Sequence, residues 1–497
     1  MNNSDHIKNY KLLLFSLAVA LLTYGFALTN FTLTIDNETP IYSDFGLEFG
    51  RWGQNLILYE LFDGHLQYFT LLISLLLYSF TGVRLAKIFN LESISAYFFC
   101  ALFVTFPQIS YQVVFAMMAY IAPIGILLSV FSIEFFLKGL ESKEIKKKWF
   151  NFLLATLVIT FLLSIYQAFI LVPPTIYALL ILQNTFKDNF NLKTEIKNIL
   201  LLILLVIISV ILYIISVKII CPPMDSNGYL SSFASNGNGS NNHLLDFCLL
   251  WGDNLIGNFY YGERTFIITT VSSIALIIGF VLNKKLIFIR TAAILVILLL
   301  PFFTSFFITS GYNPPRLYVT SNIVYAFLIV YAINYFKIFE YTFTRITVIL
   351  ICTVNFYYIT KLFYSSNEIY KHDLRIAEKI DGIILSKYPN FPLTEKKVYF
   401  YGYFPYEYHN HLRLKNSEIF GGSFYSWDNG NNFRIINFFS VADVADYSIL
   451  NTREELDKVK DSIATMPAWP SSNSIKMIDD IVVVKLGESK GMPMYFE

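Results

Sequence analysis

Long apolar runs separated by short polar loops dominate the chain up to about residue 363. About 20 consecutive apolar residues form a helix long enough to cross the hydrocarbon core of a bilayer. Eleven segments approach this length, and the sixth, which begins at Pro173-Pro174, is the shortest. They lie at about residues 11–30, 66–83, 92–109, 114–137, 150–169, 173–186, 197–219, 265–282, 287–308, 317–336 and 345–363. The pattern predicts an α-helical polytopic membrane protein with about eleven transmembrane helices.

The pattern changes after about residue 364, where charged residues return and no apolar run is long enough to span a membrane. Short elements are predicted there: a helix at 367–387, a strand at 398–403, a turn-rich loop opening a helix at 421–439 and a strand at 478–486. We therefore expect two domains. Residues 1–364 form a transmembrane domain with external loops at about 31–65 and 220–264, and residues 365–497 form a small mixed α/β domain.

Lysine and arginine are concentrated in alternate loops, which predicts the orientation because cytoplasmic loops carry the excess of these residues. One side carries Lys8, Lys11, Arg84, Lys87, Lys138, Lys143, Lys146, Lys147, Lys148, Lys187, Lys193, Lys197, Lys284, Lys285, Lys337 and Arg345. The other side carries few cations: Arg51, Lys218, Arg264 and Arg316. We expect a multi-pass membrane protein with a cytoplasmic N-terminus. The odd number of predicted spans places residues 365–497 on the opposite side of the membrane.

Composition narrows the partners and cofactors. The chain is 55% hydrophobic and 15% charged, and its mean hydropathy is +0.53, so we expect the lipid bilayer as its surroundings. The net charge of +1 argues neither for nor against a nucleic-acid partner. No basic stripe with interleaved aromatic residues is present outside the expected loop positions, so we expect no such partner. The four cysteines form no CxxC pair, so we expect neither a metal nor a cofactor. Cys221 and Cys248 share one predicted external loop, which leaves a disulfide between them open.

The most unusual polar stretch lies at residues 34–53, between the first two apolar runs. It contains four carboxylates (Asp36, Glu38, Asp44 and Glu48), three glycines and Arg51. A carboxylate that accepts the proton of a sugar hydroxyl makes that hydroxyl a better nucleophile. An arginine can bind the negative charge that develops on a departing phosphate. This combination favours glycosyl transfer from a lipid-phosphate donor, with Asp36 and Glu38 as the catalytic candidates.

Further candidate residues follow from the same chemistry. We expect Arg51 and Arg316 to bind the donor phosphate, although an interfacial anchor is an equal interpretation for Arg316. Asp44, Glu48 and Trp52 are expected to support the loop. Near the C-terminus, a polar and aromatic cluster has the residue types that stack on a sugar ring and bind its hydroxyls, and a structural tight turn is the alternative. Its members are Trp427, Asp428, Asn429 and Arg434.

Three stretches carry a resemblance to a known family. They are I-D-N-E…F-G-R-W-G after the first apolar run, G-G-S-F-Y-S-W-D-N-G-N-N-F-R-I-I-N at 421–437, and M-P-A-W-P-S-S-N-S-I-K-M-I-D-D-I-V-V-V-K-L at 466–486. Together they resemble the serotype-converting (O-antigen) glucosyltransferases, which are GtrII-like membrane glycosyltransferases of the GT-C type.

The resemblance implies a GT-C-like fold and an essential acid in the first external loop. It also implies a place in the bacterial inner membrane, with residues 365–497 in the periplasm. The implied donor is undecaprenyl-phosphate glucose, used on the periplasmic face, and the implied acceptor is a polysaccharide such as O-antigen. By position, Asp36 and Glu38 match the acidic motif of the family, and Arg51 with Trp52 matches its G-R-W element; which acid is the base stays open. The alternative is a non-enzymatic polysaccharide flippase or polymerase-associated protein. A flippase should carry charges inside several spans, whereas here Glu134 is the clearest exception in nearly charge-free spans.

Overall fold

The computed structural model describes residues 3–38, 46–62, 67–222, 243–308, 313–393, 395–404 and 413–494. The chain divides into two compact units. The first unit comprises Met1–Thr29 and Ser43–Thr360, and the second comprises Asn30–Tyr42 and Lys361–Glu497. The segment that carries Asp36 and Glu38 therefore groups with the C-terminal part of the chain. The predicted boundary at residue 364 concerned membrane placement and stays a prediction.

The first unit is helical throughout its described part. Its first half contains α1 (Asn3–Thr23), α2 (Gly25–Thr29), α3 (Trp52–Asn55), α4 (Gln67–Ile88), α5 (Ser93–Thr105), α6 (Ser110–Val113), α7 (Ile121–Glu141), α8 (Ile145–Ile165) and α9 (Val172–Asn184). Short 3-10 turns cover Leu47–Phe49, Pro107–Ile109 and Gln167–Leu171, and a π-helical turn covers Leu56–Leu61. Helix α7 packs against α8, and α4 packs against α1 and α7.

The second half of this unit continues the pattern. It contains α10 (Leu192–Ile220), α11 (His243–Leu255), α12 (Ile267–Asn283), α13 (Ile287–Leu299) and α14 (Ser321–Tyr335), followed by α15 (Thr342–Lys387), which continues into the second unit. The 3-10 turns are Glu263–Phe266, Leu300–Phe307, Pro315–Leu317 and Ile338–Glu340. Helix α10 begins where the Asn191 side chain accepts hydrogen bonds from the amides of Lys193 and Thr194, which satisfies two of the amide groups that a helix start leaves unpaired.

Each of the eleven predicted apolar segments falls on a helix. Among the described residues, eight helices are long and apolar enough to cross a membrane. A ninth candidate is Ser93–Thr105 with Pro107–Val113, bent by 42°, because the residue before a proline disfavours the helical conformation. The apolar helices Asn9–Thr23 and Ser321–Tyr335 are shorter. The prediction of a mostly helical protein with several helices of membrane-spanning character is therefore confirmed, whereas the count of eleven spans, their placement in a membrane and their orientation stay predictions.

An ion pair links two of the candidate spans, α4 and α7. Arg84 Nε donates to Glu134 Oε1 at 2.9 Å, and its Nη2 binds Glu134 Oε2, so the contact is bidentate. A charged residue in the hydrocarbon layer is costly unless it is paired. Arg84 neutralises the Glu134 carboxylate, so a packing role between α4 and α7 explains this charge without a transport path.

The second unit combines the C-terminal half of α15 with a small sheet. The sheet consists of β1 (Lys397–Tyr401), β2 (Ile475–Ile478) and β3 (Ile481–Lys485) in the order β1-β3-β2. Strand β1 pairs with β3 in parallel, Lys397 opposite Ile481, and β2 pairs with β3 in antiparallel fashion, Ile475 opposite Val484. Helices α16 (Asn432–Val441) and α17 (Arg453–Ile463) complete the unit.

The apolar face of this sheet explains why the unit folds. Tyr399, Ile481 and Val483 from the strands form a buried core with Val459 and Ile463 of α17. The predicted strand at 398–403 is found as β1, and the predicted helix after residue 421 is found as α16. The single strand predicted at 478–486 is wrong at its start, because Asp479 adopts a left-handed φ of 51° and the chain turns there between β2 and β3.

The four cysteines are free, so Cys221 and Cys248 form no disulfide.

Candidate functional site

A tight turn of the second unit presents Asp36 and Glu38. The Asn37 amide donates to the Thr34 carbonyl at 3.0 Å, and the buried Asn37 side chain binds the same residue. Asp36 has a φ of 74°, in the left-handed region that Asp tolerates better than most residues. Backbone conformations of this kind concentrate at functional sites. The turn therefore brings two carboxylates, separated by Asn37, to the same neighbouring side chain.

That neighbour is Arg434, in the first turn of α16. Its Nη1 lies 2.9 Å from Asp36 Oδ1 and also binds Glu38 Oε1. Its Nε donates to Asp428 Oδ2 at 2.7 Å. Helix α16 begins here because the Asn431 side chain accepts a hydrogen bond from the Phe433 amide, as helix N-caps do. One guanidinium thus gathers three carboxylates from two distant stretches of the chain; we name these four residues the acid cluster.

The three carboxylates differ in exposure. The side chains of Asp36 and Asp428 are 28% and 41% exposed, whereas that of Glu38 is 1% exposed. Burial raises the pKa of Glu38 to about 7; the guanidinium of Arg434 opposes this change, and the charge of Asp36 adds to it. Glu38 Oε2 has no hydrogen-bond partner among the described residues. Asp36 and Asp428 can therefore be reached from solvent, and Glu38 lies behind them.

The charge of the acid cluster limits what it can bind. Burial by itself would lower the pKa of Arg434, but the three carboxylates outweigh burial and raise it, so the guanidinium stays charged. With three carboxyl groups around one cation, the cluster is negative once two of them are ionised. Such a site repels an incoming phosphate and stabilises positive charge. It suits a proton acceptor beside a sugar carbon that becomes cationic during the reaction.

Buried polar residues of α15 hold the segments that carry these acids. Asn367 Nδ2 donates to the Phe31 carbonyl at 3.1 Å and to Thr32 Oγ1 at 2.9 Å. Asp373 accepts hydrogen bonds from Ser423 Oγ at 2.9 Å and from the Phe424 amide at 2.8 Å. One helix thus anchors both the turn before Asp36 and the loop before Asp428, and buried hydrogen bonds of this kind fix side-chain positions.

The predicted acceptor-binding residues lie at and beside the acid cluster. The Trp427 ring packs against Gly422 and has the Arg413 guanidinium 5.2 Å from its centroid. Asp428 and Arg434 belong to the cluster itself. Asn429 is exposed, and its carbonyl accepts a hydrogen bond from the Met492 amide at 3.0 Å. The Trp427 ring is therefore in cation–π contact with Arg413. Asn429 lies next to the acid cluster in the sequence.

Arg51 and Trp52 belong to the first unit, where they fasten the start of α3 to neighbouring helices. The Arg51 guanidinium lies 4.8 Å from the Tyr166 ring centroid, and its Nε donates to Gln167 Oε1 at 3.4 Å. Trp52 Nε1 donates to Ser216 Oγ at 2.9 Å. Glu48 is exposed in the turn Leu47–Phe49. Asp44 lies outside the described residues.

Arg316, also in the first unit, is fixed through its backbone. Gln108 Nε2 donates to the Pro315 carbonyl at 3.2 Å, and Gln112 Nε2 donates to the carbonyl of Arg316. The Arg316 guanidinium lies 5.6 Å from the Phe115 ring centroid. The two glutamines are four residues apart and buried, so they act on the same turn from one helical face.

A family model described as Glucosyl transferase GtrII matches residues 25–364, which is more than half of the chain. The chain belongs to the GtrII glucosyl transferase family. No curated protein and no solved structure matches it. The expected resemblance is thus confirmed, and membership makes the protein a glucosyltransferase with several apolar helices of membrane-spanning character.

The matched region of the GtrII family contains Asp36, Glu38, Arg51 and Arg316 but ends before Arg434. The sequence indicated Arg434 as a polar neighbour of Trp427 and gave no sign that it binds the acids 396 residues away. Asn367 and Asp373 were missed altogether. Their only signal is that both polar residues interrupt a helix whose neighbouring positions, such as Ile369 and Ile376, are buried and apolar.

Proposed function

We propose that this GtrII-family protein transfers glucose from a polyprenyl-phosphate-linked donor, undecaprenyl-phosphate glucose, to a surface polysaccharide such as O-antigen. The reaction takes place on the periplasmic face of the bacterial inner membrane. Family membership supports the glucosyl group, and the apolar helices support a lipid-linked donor. The observation that carries the mechanism is the acid cluster, in which one arginine holds two acids of the first external loop.

Asp36 is the general base in this proposal. It is the more exposed of the two loop acids, so an acceptor hydroxyl can reach it, whereas the 1% exposure of Glu38 keeps that carboxyl from substrate. Glu38 has a positioning role, because it binds the same Arg434 nitrogen as Asp36 and so fixes the position of that nitrogen. The sequence left the choice between these two acids open, and the difference in exposure supports Asp36.

The chemical step is a single displacement with inversion. The acceptor hydroxyl oxygen attacks the anomeric carbon of glucose while the bond between that carbon and the phosphate oxygen breaks. The bonding electron pair leaves with the lipid phosphate, and the hydroxyl proton passes to the Asp36 carboxylate. The sugar carbon gains positive character during this exchange, and the excess negative charge of the acid cluster stabilises it.

The donor phosphate needs cations, and the acid cluster is a poor place for it because Arg434 is already neutralised. Arg316 and Arg51 of the first unit remain our candidates. Arg316 is the stronger one, since its turn is held by Gln108 and Gln112, whereas Arg51 already stacks on Tyr166. We propose a metal-independent reaction because the Arg434 guanidinium fills the space between the carboxylates.

Trp427 and Asn429 are proposed to contact the acceptor. Trp427 is partly exposed next to the acid cluster, and an indole face suits the C–H surface of a sugar ring. The alternative is a non-enzymatic polysaccharide flippase or polymerase-associated protein. A flippase should carry charges inside several spans to line a path, and the pairing of Glu134 with Arg84 weighs against that role for Glu134.

The direct experiment replaces Asp36 by Asn and Glu38 by Gln and measures glucose transfer from the lipid-linked donor by purified enzyme in nanodiscs. We expect Asp36→Asn to lower kcat by about 10²–10⁴-fold, the usual contribution of a general base. Glu38→Gln should lower it less. Asp461→Asn, an exposed acid on α17, is the matched control and should retain wild-type kcat.

Normal transfer by Asp36→Asn would overturn the catalytic proposal. Mass spectrometry of the host polysaccharide, with and without the protein, tests the sugar and the acceptor, and an unchanged polysaccharide would contradict both. An inactive alkaline phosphatase fusion at the C-terminus would contradict the periplasmic placement. Loss of activity on adding a chelator, restored by a divalent ion, would contradict metal independence.

A further inference from the structure

Gly422 lies at a close contact between the two acid-bearing segments of the second unit. A Cβ placed on Gly422 would lie 2.9 Å from Ile35 Cγ1 and 2.9 Å from Trp427 Cε3. Carbon atoms that are not bonded pack at about 3.5–4.0 Å, so no side chain fits between them. Ile35 immediately precedes Asp36, and Trp427 immediately precedes Asp428. Contact over this glycine therefore sets the spacing of two carboxylates that bind Arg434.

Steric closeness, and not backbone conformation, is the reason for glycine at this position. The φ angle of Gly422 lies outside the left-handed range, so an alanine could adopt its backbone without strain. By contrast, Gly421 and Gly430 have φ values of 70° and 81°. A Gly422→Ala change is therefore a local perturbation that adds one methyl group and nothing else.

The loop around Gly422 cannot move aside to accept that methyl group. The Gly421 amide donates to Ser366 Oγ at 3.0 Å, and Asp373 binds both Ser423 and Phe424 on the other side. Ile35 is fully buried, and the Trp427 ring is rigid. We therefore expect the displacement to pass to Ile35 and Trp427, and through them to the neighbouring Asp36 and Asp428.

We propose that Gly422 is a positioning residue of the glucosyl transfer reaction, because it sets the separation at which Asp36 and Asp428 both reach Arg434. This inference rests on the proposed function and adds to it a residue that touches no substrate. A general base displaced by about 1 Å loses on the order of 10²-fold in rate. A substitution at Gly422 should therefore lower kcat and leave donor binding unchanged.

The test compares Gly422→Ala with Gly382→Ala in nanodiscs, measuring transfer from the lipid-linked donor. Gly382 lies in α15 with no atom within 4 Å of its Cβ position, so it is a matched control of the same chemistry. We expect Gly422→Ala to lower kcat on the order of 10²-fold with a donor KM within about twofold of wild type. Gly382→Ala should keep the wild-type kcat. Rates are taken per folded molecule, from the monodisperse fraction.

A rescue experiment separates positioning from a general packing role. Ile35→Ala removes the Cγ1 atom that the new methyl group would meet, so the Ile35→Ala/Gly422→Ala double variant should regain at least tenfold in kcat over Gly422→Ala, although Ile35→Ala alone removes buried volume. Such recovery supports the inference. A wild-type kcat in Gly422→Ala, or a double variant as slow or as poorly folded as the single one, would overturn it.

The two proposals fail in different ways. If Asp36→Asn transfers glucose normally, the proposed catalytic mechanism is wrong whatever Gly422→Ala does. If Asp36→Asn is inactive while Gly422→Ala keeps the wild-type kcat, the mechanism stands and the positioning role of Gly422 is wrong.

Discussion

The buried carboxyl of Glu38 makes the stability of the second unit depend on pH. Its pKa rises from 4.5 to about 7 on folding, mainly because burial disfavours the charged form. Each pKa unit corresponds to about 1.4 kcal/mol, so proton binding by Glu38 stabilises the folded unit by about 3 kcal/mol. Because the folded pKa is the higher one, this stabilisation is fully present below pH 4.5 and is lost as pH rises through about 7.

Replacing Glu38 by Gln removes the titration and keeps the size of the side chain. Hydrogen exchange of the α16 amides, followed by mass spectrometry and corrected for intrinsic rates, reports the local opening free energy at each pH. From pH 4.5 to 8, the wild-type value should fall relative to that of the variant by about 3 kcal/mol.

Asp461→Asn is the control for this measurement, because its side chain is exposed on α17. It should follow the wild-type pH dependence. A constant difference between wild type and Glu38→Gln across the whole range would refute the reasoning, since it would mean that Glu38 titrates alike in the folded and unfolded chains.

Three further outcomes are expected. Arg434→Ala leaves the buried Glu38 without its cation, so the second unit should lose about 3–5 kcal/mol in the same exchange measurement, with Arg434→Lys between it and wild type. Glu134→Ala should lower the thermal stability of the detergent-solubilised protein because Arg84 is left unpaired, whereas the Arg84→Leu/Glu134→Leu double variant should recover most of it; equal losses would contradict a pairing role. Trp427→Ala should raise the KM for the polysaccharide acceptor more than Trp427→Phe does, and an unchanged acceptor KM would remove Trp427 from the acceptor site.

Local patterns predicted the helices well, because a membrane-spanning helix is encoded by one continuous apolar run. The pattern failed where a turn left the apolar alternation almost unbroken. The pattern at 478–486 predicts one strand through the Asp479-Asp480 pair, because apolar residues continue on both sides of the pair. The positive φ of Asp479 ends β2 at this point, and this backbone conformation depends on the folded chain rather than on the local sequence pattern.

The candidate site was predictable only in part, for a physical reason. Asp36 and Glu38 are conspicuous because residues 34–53 cluster four carboxylates with an arginine and three glycines between two apolar runs. Their partner Arg434 lies in a stretch whose local chemistry indicated sugar binding, and nothing local encodes a contact over 396 residues. Asn367 and Gly422 are harder still, because a buried polar side chain and a close backbone approach have the same sequence appearance as a solvated residue and an ordinary loop glycine.

The grouping of the first-loop segment with the C-terminal part of the chain has a consequence for biogenesis. Asn367 follows Phe31, whose carbonyl it binds, by 336 residues, and Arg434 follows Glu38 by 396 residues. Asp36 and Glu38 are therefore synthesised long before the residues that hold them. At about 5–20 residues per second, the nascent chain carries both acids without their cation for roughly 20–80 seconds. Termination of synthesis before residue 434 would leave Asp36 and Glu38 without the arginine that binds both of them.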